Sequence, residues 1–574
     1  MKRNLFKKLA AAAGAAVMAL TLVMPMGVSA ANETINTNRS VSLTIEKHEG
    51  NSIGRSESVT GKIDSTVQGD TMEGVEFTAV KIAGIDQSTV NASTTVDYKL
   101  TDEGAQILGS GANKDDTKTG TELNRWLESQ TVSSLATALD NIANNKFSGT
   151  TNAQGIITFT NDQTKLSQDA LNPVDLKTGQ GLYLIVETDA PNTVTQRSVP
   201  FIVSLPMTEK LTSEEQANSG KTQEWMYDVY AYPKNSTGTV DIEKEISKVD
   251  TSDQTEGTTK AKANIGDEIT YTVTYQVPVQ ENGLSELKVV DTMDKGLDFD
   301  QNNGIVSIKR TTIKHTEDLT KDTDYTVSTT GKTEITINFK KYLSNLQKST
   351  TESFEITYKA TLNGNAVLGQ TGNKNTVQLE WKNNGETTTN TEPGNDTTVF
   401  TYGIDLVKKG ESDTLLKDVQ FTLTDENNIA VNIKKDITDT YYIPGDNSNT
   451  ITTNDQGKIS IRGLAPGTYK LTETKTNSGY VLLKDPVVIK IEQTDSTTGA
   501  AKAYVNNSST ETTMTPDNLN TGSNTAKVEV TVVNNKGFDL PQTGAAGTAI
   551  FAIAGIVLVA VAGALLIFRR KTQK

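Results

Sequence analysis

Runs of alternating apolar and polar residues recur through the middle of the chain and predict β-strands. Clear examples are residues 269–275, 377–381 and 528–532, where every second side chain is apolar. Such a run places its apolar side chains on one face of a sheet and its polar side chains on the other. Clusters of Gly, Asn and Asp separate the runs and predict turns. The pattern therefore predicts an all-β protein.

One stretch of the chain has the spacing of a helix instead. Between residues 122 and 145 the apolar residues recur three or four positions apart. They are Leu123, Trp126, Leu127, Leu135, Leu139 and Ile142. We expect this stretch to form a short helical insertion in the first domain. The polar residues 383–396 lack a strand or helix pattern and allow local disorder there.

Two breaks divide the chain into three bodies. The first follows Pro233, because a proline ends a strand, and the second follows the polar stretch just described. Apolar residues make up 35% and aromatic residues 6% of the 574 residues. This fraction is low for a globular protein, so small β-sandwiches with thin cores fit the composition better than one large enzyme core. We place the three bodies at residues 31–235, 236–398 and 399–537.

The two ends of the chain predict export and anchoring. Residues 1–30 combine a basic start, an apolar run and small residues before position 31, which is the pattern of a secretory signal peptide. An N-terminal membrane anchor is the alternative. Residues 540–574 contain an apolar run at 545–568, long enough to span a membrane as a helix, and then a basic tail. A basic tail stays on the cytoplasmic side of the membrane.

The composition excludes several classes of function. The chain has no cysteine and only two histidines, which excludes disulfides, thiolate chemistry, zinc fingers and catalysis built on several histidines. Its 55 basic and 70 acidic residues give a formal net charge of −15. An acidic chain is a poor ligand for nucleic-acid phosphates. We predict no metal site, no cofactor and no enzymatic turnover.

Three polar residues share apolar strand faces in the third body. Strand alternation places Lys408, Glu473 and Asn534 on the core-facing sides of their strands. Burial lowers the pKa of a lysine and raises the pKa of a glutamic acid, which gives a neutral amine and a protonated acid. The acid can donate to the asparagine carboxamide while the amine displaces ammonia. We therefore predict an isopeptide cross-link between Lys408 and Asn534, promoted by Glu473.

The second body repeats this order of residue types. Lys244 lies on an apolar face of its opening strand, and Asn375 lies on an apolar face of its closing strand. Asp291, between them in the sequence, takes the place of the glutamate. Lys248 and Asn373 lie on the same predicted faces and are alternatives to Lys244 and Asn375. The pattern predicts a second cross-link.

The first body contains a corresponding set of residues. Lys47 follows Leu43 and Ile45 on one strand face, and Glu187 lies on an apolar face of a later strand. Asn235 stands just beyond Pro233, at the exit of this body. We predict a third cross-link between Lys47 and Asn235, promoted by Glu187.

The C-terminal sequence resembles the LPXTG cell-wall sorting signal of Gram-positive surface proteins. Its pentapeptide is Leu540-Pro541-Gln542-Thr543-Gly544, and the apolar span and basic tail follow it. The resemblance implies that a sortase cuts between Thr543 and Gly544 and joins the Thr carbonyl to an amine. It also implies a secreted protein that is anchored to peptidoglycan.

Further motifs resemble those of sortase-assembled major pilins. Residues 469–474 (Tyr-Lys-Leu-Thr-Glu-Thr), after the loop 463–467, resemble the E-box of these pilins and of collagen-adhesin B-type domains. Residues 289–292 (Val-Val-Asp-Thr), with the Gly-Leu pair that follows them, resemble the pilin middle domain. Residues 225–235 (Trp-Met-Tyr-Asp-Val-Tyr-Ala-Tyr-Pro-Lys-Asn) resemble the pilin motif. The resemblance implies that Lys234 accepts the Thr carbonyl of the next subunit.

The resemblance covers essentially the whole chain and implies both a fold and a function. The implied fold is a tandem array of immunoglobulin-like, collagen-adhesin B-type β-sandwiches. The implied function is that of a SpaA-like shaft subunit, joined head to tail through Thr543 and Lys234, that supports adhesion. The implied partners are sortase, further copies of the chain, minor pilins, peptidoglycan and a host or bacterial surface ligand. The alternative is a monomeric wall-anchored adhesin with the same domains.

Overall fold

The computed structural model of the chain describes ten segments. They are residues 35–50, 61–67, 69–86, 96–209, 224–250, 257–312, 315–445, 448–516, 525–537 and 546–571. The predicted signal peptide and the pentapeptide at 540–544 lie outside the described residues. Strands dominate the described segments and assemble into paired sheets, so the predicted all-β fold with tandem sandwiches is confirmed.

The first unit packs a four-stranded sheet against a five-stranded sheet, with the apolar core between them. The opening strand Ser42–Glu46 is parallel to Asp228–Ala231 on one side and antiparallel to Ile156–Thr160 on the other. This pairing puts the beginning and the end of the unit next to each other. The strands of the unit are Ser42–Glu46, His48–Glu49, Glu76–Ile85, Tyr98–Leu100, Lys146–Thr150, Ile156–Thr160, Pro173–Asp175, Gly181–Asp189, Val194–Gln196, Phe201–Leu205, Met207–Thr208, Trp225–Met226, Asp228–Ala231 and Lys234–Thr237.

Helices cover the outer face of the five-stranded sheet. They span Asp102–Leu108, Gly120–Glu128 and Val132–Asp140, and their apolar side chains form a second small core with the sheet. Because the sheet is covered on both sides, every residue from 181 to 187 is buried. This burial places the carboxylate of Glu187 in a dry interior.

The predicted helical insertion is present, but it differs from the expected single stretch. One helix ends at Glu128 and a second begins at Val132. The Thr131 side chain caps the second helix, because it accepts a hydrogen bond from the Ser134 amide at 3.0 Å. Threonine is a favoured N-cap because its oxygen satisfies an amide that has no partner within the helix. The helix Asp102–Leu108 was not predicted, since its seven residues are too few for a clear period.

The second unit packs a six-stranded sheet against a seven-stranded sheet. Its opening strand lies at the edge of the first sheet, and its closing strand Asn373–Asn383 lies inside the second. The strand Thr397–Phe400 pairs with this closing strand and spans the expected boundary at residue 398. The strands of the unit are Asp241–Val249, Lys260–Lys262, Glu268–Val279, Leu284–Met293, Leu297–Phe299, Ile305–Thr311, Thr316–Asp318, Thr326–Thr330, Glu334–Asn338, Thr350–Leu362, Asn373–Asn383, Asn390–Pro393 and Thr397–Phe400.

The third unit packs a six-stranded sheet against a five-stranded sheet. Its opening strand Tyr402–Gly410 and closing strand Lys527–Asn534 are parallel neighbours in the larger sheet. The E-box strand Gly467–Lys475 lies in the facing sheet. The strands of the unit are Tyr402–Gly410, Gln420–Asp425, Ile433–Lys435, Tyr442–Pro444, Thr450–Thr452, Lys458–Leu464, Gly467–Lys475, Val487–Asp495, Ala500–Val505, Met514–Thr515 and Lys527–Asn534.

A single apolar helix closes the described chain. It spans Ala546–Lys571, and its segment Phe551–Arg570 has a mean hydropathy of 2.8 with no part buried against the rest of the protein. The helix lies where the sequence predicted a membrane-spanning segment. Its length and composition are sufficient to cross a bilayer.

Candidate cross-linking sites and linkage lysine

Each unit buries a cluster in which a lysine, a carboxylate and an asparagine lie side by side. None of the nine residues is more than 6% exposed. Burying such groups without partners would be costly, so each cluster has to satisfy its own hydrogen bonds. The clusters are Lys47, Glu187 and Asn235 in the first unit, Lys244, Asp291 and Asn375 in the second, and Lys408, Glu473 and Asn534 in the third.

In the third unit, the parallel pairing of the opening and closing strands brings lysine and asparagine together. Lys408 lies opposite Val532 in this pair, two positions before Asn534. Lys408 Nζ donates to Asn534 Oδ1 and lies 3.4 Å from Glu473 Oε1. Asn534 Nδ2 donates to both oxygens of the Glu473 carboxyl group at 3.0 Å. The carboxamide is thus held between the amine and the acid.

In the second unit, the lysine reaches the aspartate across the core from the facing sheet. Lys244 Nζ donates to Asp291 Oδ2 at 2.5 Å. Tyr358 Oη donates to the same oxygen at 2.7 Å and accepts from Asn375 Nδ2 at 2.8 Å. Among the described residues, neither Asp291 Oδ1 nor Asn375 Oδ1 has a hydrogen-bond partner. A tyrosine therefore joins the cluster as a fourth member.

Two aromatic rings enclose the amine of the second cluster. The rings of Tyr271 and Tyr358 stack with their centroids 5.2 Å apart. Lys244 Nζ lies 5.3 Å from the Tyr271 centroid and 5.6 Å from the Tyr358 centroid. At this distance the ring faces attract a protonated amine and keep water away from it.

In the first unit, the three side chains form a closed triangle. Lys47 Nζ donates to Glu187 Oε2 at 2.9 Å and to Asn235 Oδ1 at 2.6 Å. Asn235 Nδ2 donates to Glu187 Oε1 at 2.5 Å. Lys47 and Asn235 meet because the strands His48–Glu49 and Lys234–Thr237 pair in parallel.

The two alternatives in the second unit lie outside the cluster. Lys248 was expected on the same face as Lys244, but a bulge after Ile246 turns it outward, where its side chain is 68% exposed and pairs with Asp250. That expectation was wrong because the bulge breaks the alternation. Asn373 is buried, but its carboxamide oxygen accepts from the Val367 amide at 2.8 Å, and its nitrogen donates to two backbone carbonyls.

Burial moves the pKa values of the three lysines and of Asp291 in the direction that the predicted reaction requires. Burial lowers the pKa of Lys47 and of Lys408, although the neighbouring carboxylates oppose this change. It lowers the pKa of Lys244 to about 8. Burial raises the pKa of Asp291, although Lys244 opposes this change. These directions favour a neutral amine beside a protonated acid.

Sequence reasoning missed a hydroxyl group in each cluster. Tyr358 bridges acid and amide in the second, as described above. The Ser198 hydroxyl donates to Glu187 Oε2 at 2.6 Å in the first, and Thr476 Oγ1 accepts from Asn534 Nδ2 at 2.8 Å in the third. Both of these residues lie in loops, where alternation gives no signal.

Lys234, the predicted linkage lysine, lies next to the first cluster. Lys234 and Asn235 are neighbours on one strand, so their side chains point to opposite sides. Asn235 is fully buried, whereas Lys234 is partly exposed. The Lys234 side chain runs over Gly50, because a methyl group placed on Gly50 would lie only 2.9 Å from Lys234 Cδ. The lysine is thus held against the unit along its stem.

Four family models match the chain in succession. The N-terminal domain of Gram-positive pilin subunits (D1) matches residues 38–236, and the Cna-B-like domain of Gram-positive pilin backbone subunits matches residues 265–385. The prealbumin-like fold domain matches residues 403–507, and the LPXTG cell wall anchor motif matches residues 532–574.

Relatives with curated descriptions match over most of the chain. The type 1 fimbrial subunit of Actinomyces viscosus is 26% identical over 620 aligned residues, which cover 99% of this chain and 98% of that protein. The trypsin-resistant surface T6 protein of Streptococcus pyogenes is 25% identical, with 68% of this chain and 79% of that protein covered. Both similarities include far more than a single domain.

A solved structure also aligns with most of the chain. The full-length major pilin SpaD from Corynebacterium diphtheriae aligns with a TM-score of 0.48 and 20% identity, covering 88% of this chain and 99% of that one. The argument for the family rests on the sequence models, whose order along the chain is that of a pilin subunit with a wall anchor. The chain belongs to the LPXTG-anchored backbone pilins of Gram-positive bacteria and is a pilus protein of the cell wall.

Proposed function

We propose that the chain is the shaft subunit of a covalent pilus, in which a sortase joins Thr543 of one copy to Lys234 of the next. The observation that carries this proposal is the placement of Lys234, partly exposed on the last strand of the first unit. An acceptor amine must be accessible to an enzyme and held on a rigid element. A link from Thr543 of one copy to Lys234 of the next joins two different parts of the subunit, so the contact is heterologous. Because it does not close into a ring, it generates a filament.

Substitution of the acceptor tests this proposal. In the native bacterium, Lys234→Ala should abolish the ladder of covalent polymers that resists sodium dodecyl sulfate and leave wall-anchored monomer. Lys114→Ala is a matched control, because its side chain is 58% exposed on the same unit. Thr543→Ala should remove both polymer and anchored monomer. A full ladder from Lys234→Ala would contradict the proposed acceptor, and a single band from the unaltered chain would identify a monomeric adhesin.

We also propose that each cluster forms one isopeptide bond. The neutral amine attacks the asparagine Cγ while the protonated carboxyl group donates to the amide oxygen. The Cγ–Nδ2 bond then breaks and ammonia leaves. The reaction happens once in each unit, so the chain acts as its own substrate and is not an enzyme. The proposed bonds are Lys47–Asn235 promoted by Glu187, Lys244–Asn375 promoted by Asp291, and Lys408–Asn534 promoted by Glu473.

Intact-mass measurement tests the cross-links directly. Loss of one ammonia lowers the mass by about 17 Da, so three bonds lower it by about 51 Da. Peptide mapping of the mature chain then identifies which lysine is joined to which asparagine. A mass equal to the sequence mass would rule out all three bonds.

The proposed division of the mature chain agrees with these bonds. We propose domains at residues 31–235, 236–398 and 399–537, each with its lysine near its start and its asparagine near its end. The signal peptide at 1–30 is removed on export, and the segment 545–568 holds the chain in the membrane until the sortase acts. Minor pilins, peptidoglycan and a surface ligand for adhesion complete the proposed partners.

A further inference from the structure

We infer that the Tyr358 hydroxyl is a further catalytic group of the second unit and passes a proton to the departing nitrogen of Asn375. The inference rests on the proposed Lys244–Asn375 bond and adds a residue to that reaction. It concerns only this unit, because in the other two clusters the carboxyl group itself contacts the departing nitrogen.

The problem is the movement of one proton between two nitrogens. When the Lys244 amine attacks Asn375 Cγ, its nitrogen has to lose a proton. The carboxamide nitrogen has to gain one before it can leave as ammonia. In the intermediate both nitrogens are bonded to the same carbon, so direct transfer would require a strained four-membered ring. A positioned acid–base group that carries the proton removes this barrier.

A continuous chain of hydrogen bonds connects the two nitrogens. Asp291 Oδ2 lies 2.5 Å from Lys244 Nζ and 2.7 Å from Tyr358 Oη. Tyr358 Oη in turn lies 2.8 Å from Asn375 Nδ2. Each of these distances is within the reach of proton transfer. The order of atoms is therefore nucleophile, carboxyl oxygen, hydroxyl and leaving group.

The second oxygen of Asp291 has a separate task. Asp291 Oδ1 and Asn375 Oδ1 are both buried, and neither has a hydrogen-bond partner among the described residues. Buried acceptors of this kind are rare in folded proteins. A proton on Asp291 Oδ1, directed at Asn375 Oδ1, would satisfy both atoms and activate the carbonyl for attack. Oδ2, which already accepts a hydrogen bond from the amine, can then receive the proton of that amine.

The protons balance over the complete step. The Nζ–Cγ bond forms, Asp291 Oδ1 protonates the amide oxygen, and Nζ gives one proton to Oδ2. Once Cγ is tetrahedral, Nδ2 has a lone pair and can accept, so the Tyr358 hydroxyl turns from Oδ2 to Nδ2. Oδ2 then passes its proton to Oη, while Oη gives its own proton to Nδ2. The Cγ–Nδ2 bond breaks and ammonia leaves, and the carbonyl oxygen returns its proton to Oδ1. Asp291 and Tyr358 end as they began.

The other two clusters also contain a hydroxyl, but they differ from the second in that the carboxyl group itself accepts from the leaving nitrogen. Asn235 Nδ2 donates directly to Glu187 at 2.5 Å, and Asn534 Nδ2 donates directly to Glu473 at 3.0 Å. In both, the carboxyl group can deliver the proton to the leaving nitrogen itself. The aspartate side chain is one methylene shorter, and in the second cluster Tyr358 occupies the position next to the leaving nitrogen.

A single oxygen atom can be removed to test the relay. Tyr358→Phe keeps the ring that stacks on Tyr271 and deletes only the hydroxyl. Tyr275→Phe is the matched control, because Tyr275 lies in the same core, 2% exposed, and among the described residues its hydroxyl has no partner. Mature chain is made by cell-free synthesis and quenched in acid at intervals. Peptide mapping then follows the bond of each unit separately.

The relay predicts a selective kinetic effect. Tyr358→Phe should slow the second-unit bond by about 10²-fold, the lower range for general acid–base catalysis, and leave the other two bonds unchanged. Tyr275→Phe should match the unaltered chain. An equal rate in Tyr358→Phe would overturn the inference, since a packing role alone is preserved by the ring. If the unaltered chain never forms the second-unit bond, the proposed cross-link itself is overturned, and the inference with it.

Discussion

Replacing Glu473 with glutamine should separate the cross-link of the third unit from its packing. Glutamine has the same number of heavy atoms and can still accept a hydrogen bond from Asn534. It cannot donate a carboxylic proton to the carbonyl or take a proton from Lys408. The lysine and the asparagine should therefore remain side by side without being joined.

The loss of stability can be worked from the positions of the two residues. The proposed bond between Lys408 and Asn534 closes a loop of 534 − 408 = 126 positions. In the chain-entropy model for cross-links, a loop of this length contributes about 5 kcal/mol. A unit of about 130 residues has an unfolding entropy near 0.27 kcal/mol/K, so its midpoint should fall by roughly 18 °C.

Mass spectrometry and calorimetry of the mature chain measure the two effects. Glu473→Gln should weigh about 17 Da more than Glu492→Gln, a matched control whose side chain is 47% exposed on the same unit. Only the third-unit transition should move. An unchanged ammonia loss would show that Glu473 is not the required acid. A restored mass with an unmoved midpoint would refute the loop-closure argument.

The second and third clusters give further expectations. The second-unit bond should form more slowly above about pH 8, because Lys244 then loses the proton that it shares with Asp291 and no acid remains to donate. Time courses quenched at a series of pH values would check this, and a rate of bond formation that still rises above that pH would contradict it. Lys244→Ala should restore about 17 Da, whereas Lys248→Ala should leave the bond in peptide maps. Trypsin should digest the third unit of Lys408→Ala markedly faster, and equal rates would count against a stabilising bond.

Alternation identified the members of the clusters wherever a strand is regular. Lys408 continues the face of Ile404 and Leu406, and all three are buried. A charged residue in such a series is informative because burial without a partner is costly. The same reasoning failed at Lys248, since a bulge depends on the pairing of two strands and leaves no mark on the sequence of one.

Tyr358 was overlooked for the opposite reason. It continues the buried face of Phe354 and Ile356, so the pattern marks it as an ordinary core aromatic residue. Alternation assigns a side chain to a face but does not tell which polar groups meet across the core. A usable signal was nevertheless present, because a buried tyrosine hydroxyl usually has a hydrogen-bond partner. Its partners became evident only with the two sheets in place.

The helical insertion shows the limit of periodicity for short elements. The apolar spacing from Leu123 to Ile142 continues through the break, because both helices pack on the same sheet. The break itself is set by Thr131, whose side chain caps the second helix. Capping residues are common in loops as well, so one threonine could not define a boundary in advance.

The positions of the proposed bonds can be understood from the path of tension along a filament. In the second and third units, the lysine lies on the opening strand and the asparagine on the closing strand. A force that enters at one end of the unit and leaves at the other then passes through the bond, and the rest of the sandwich stays unloaded. This holds although the two strands are neighbours in the third unit and lie on different sheets in the second.

In the first unit, most of the residues lie off the path of tension. Tension from the Thr543 of a neighbouring copy would enter at Lys234 and leave through Asn235 toward the second unit, without crossing residues 47–233. The proposed Lys47–Asn235 bond would therefore lie off the path of the tension. It instead ties the loaded strand Lys234–Thr237 to the end of the opening strand, inside a buried cluster. The proposed bond would keep the first unit attached at the point where the force arrives, although residues 47–233 bear none of that force.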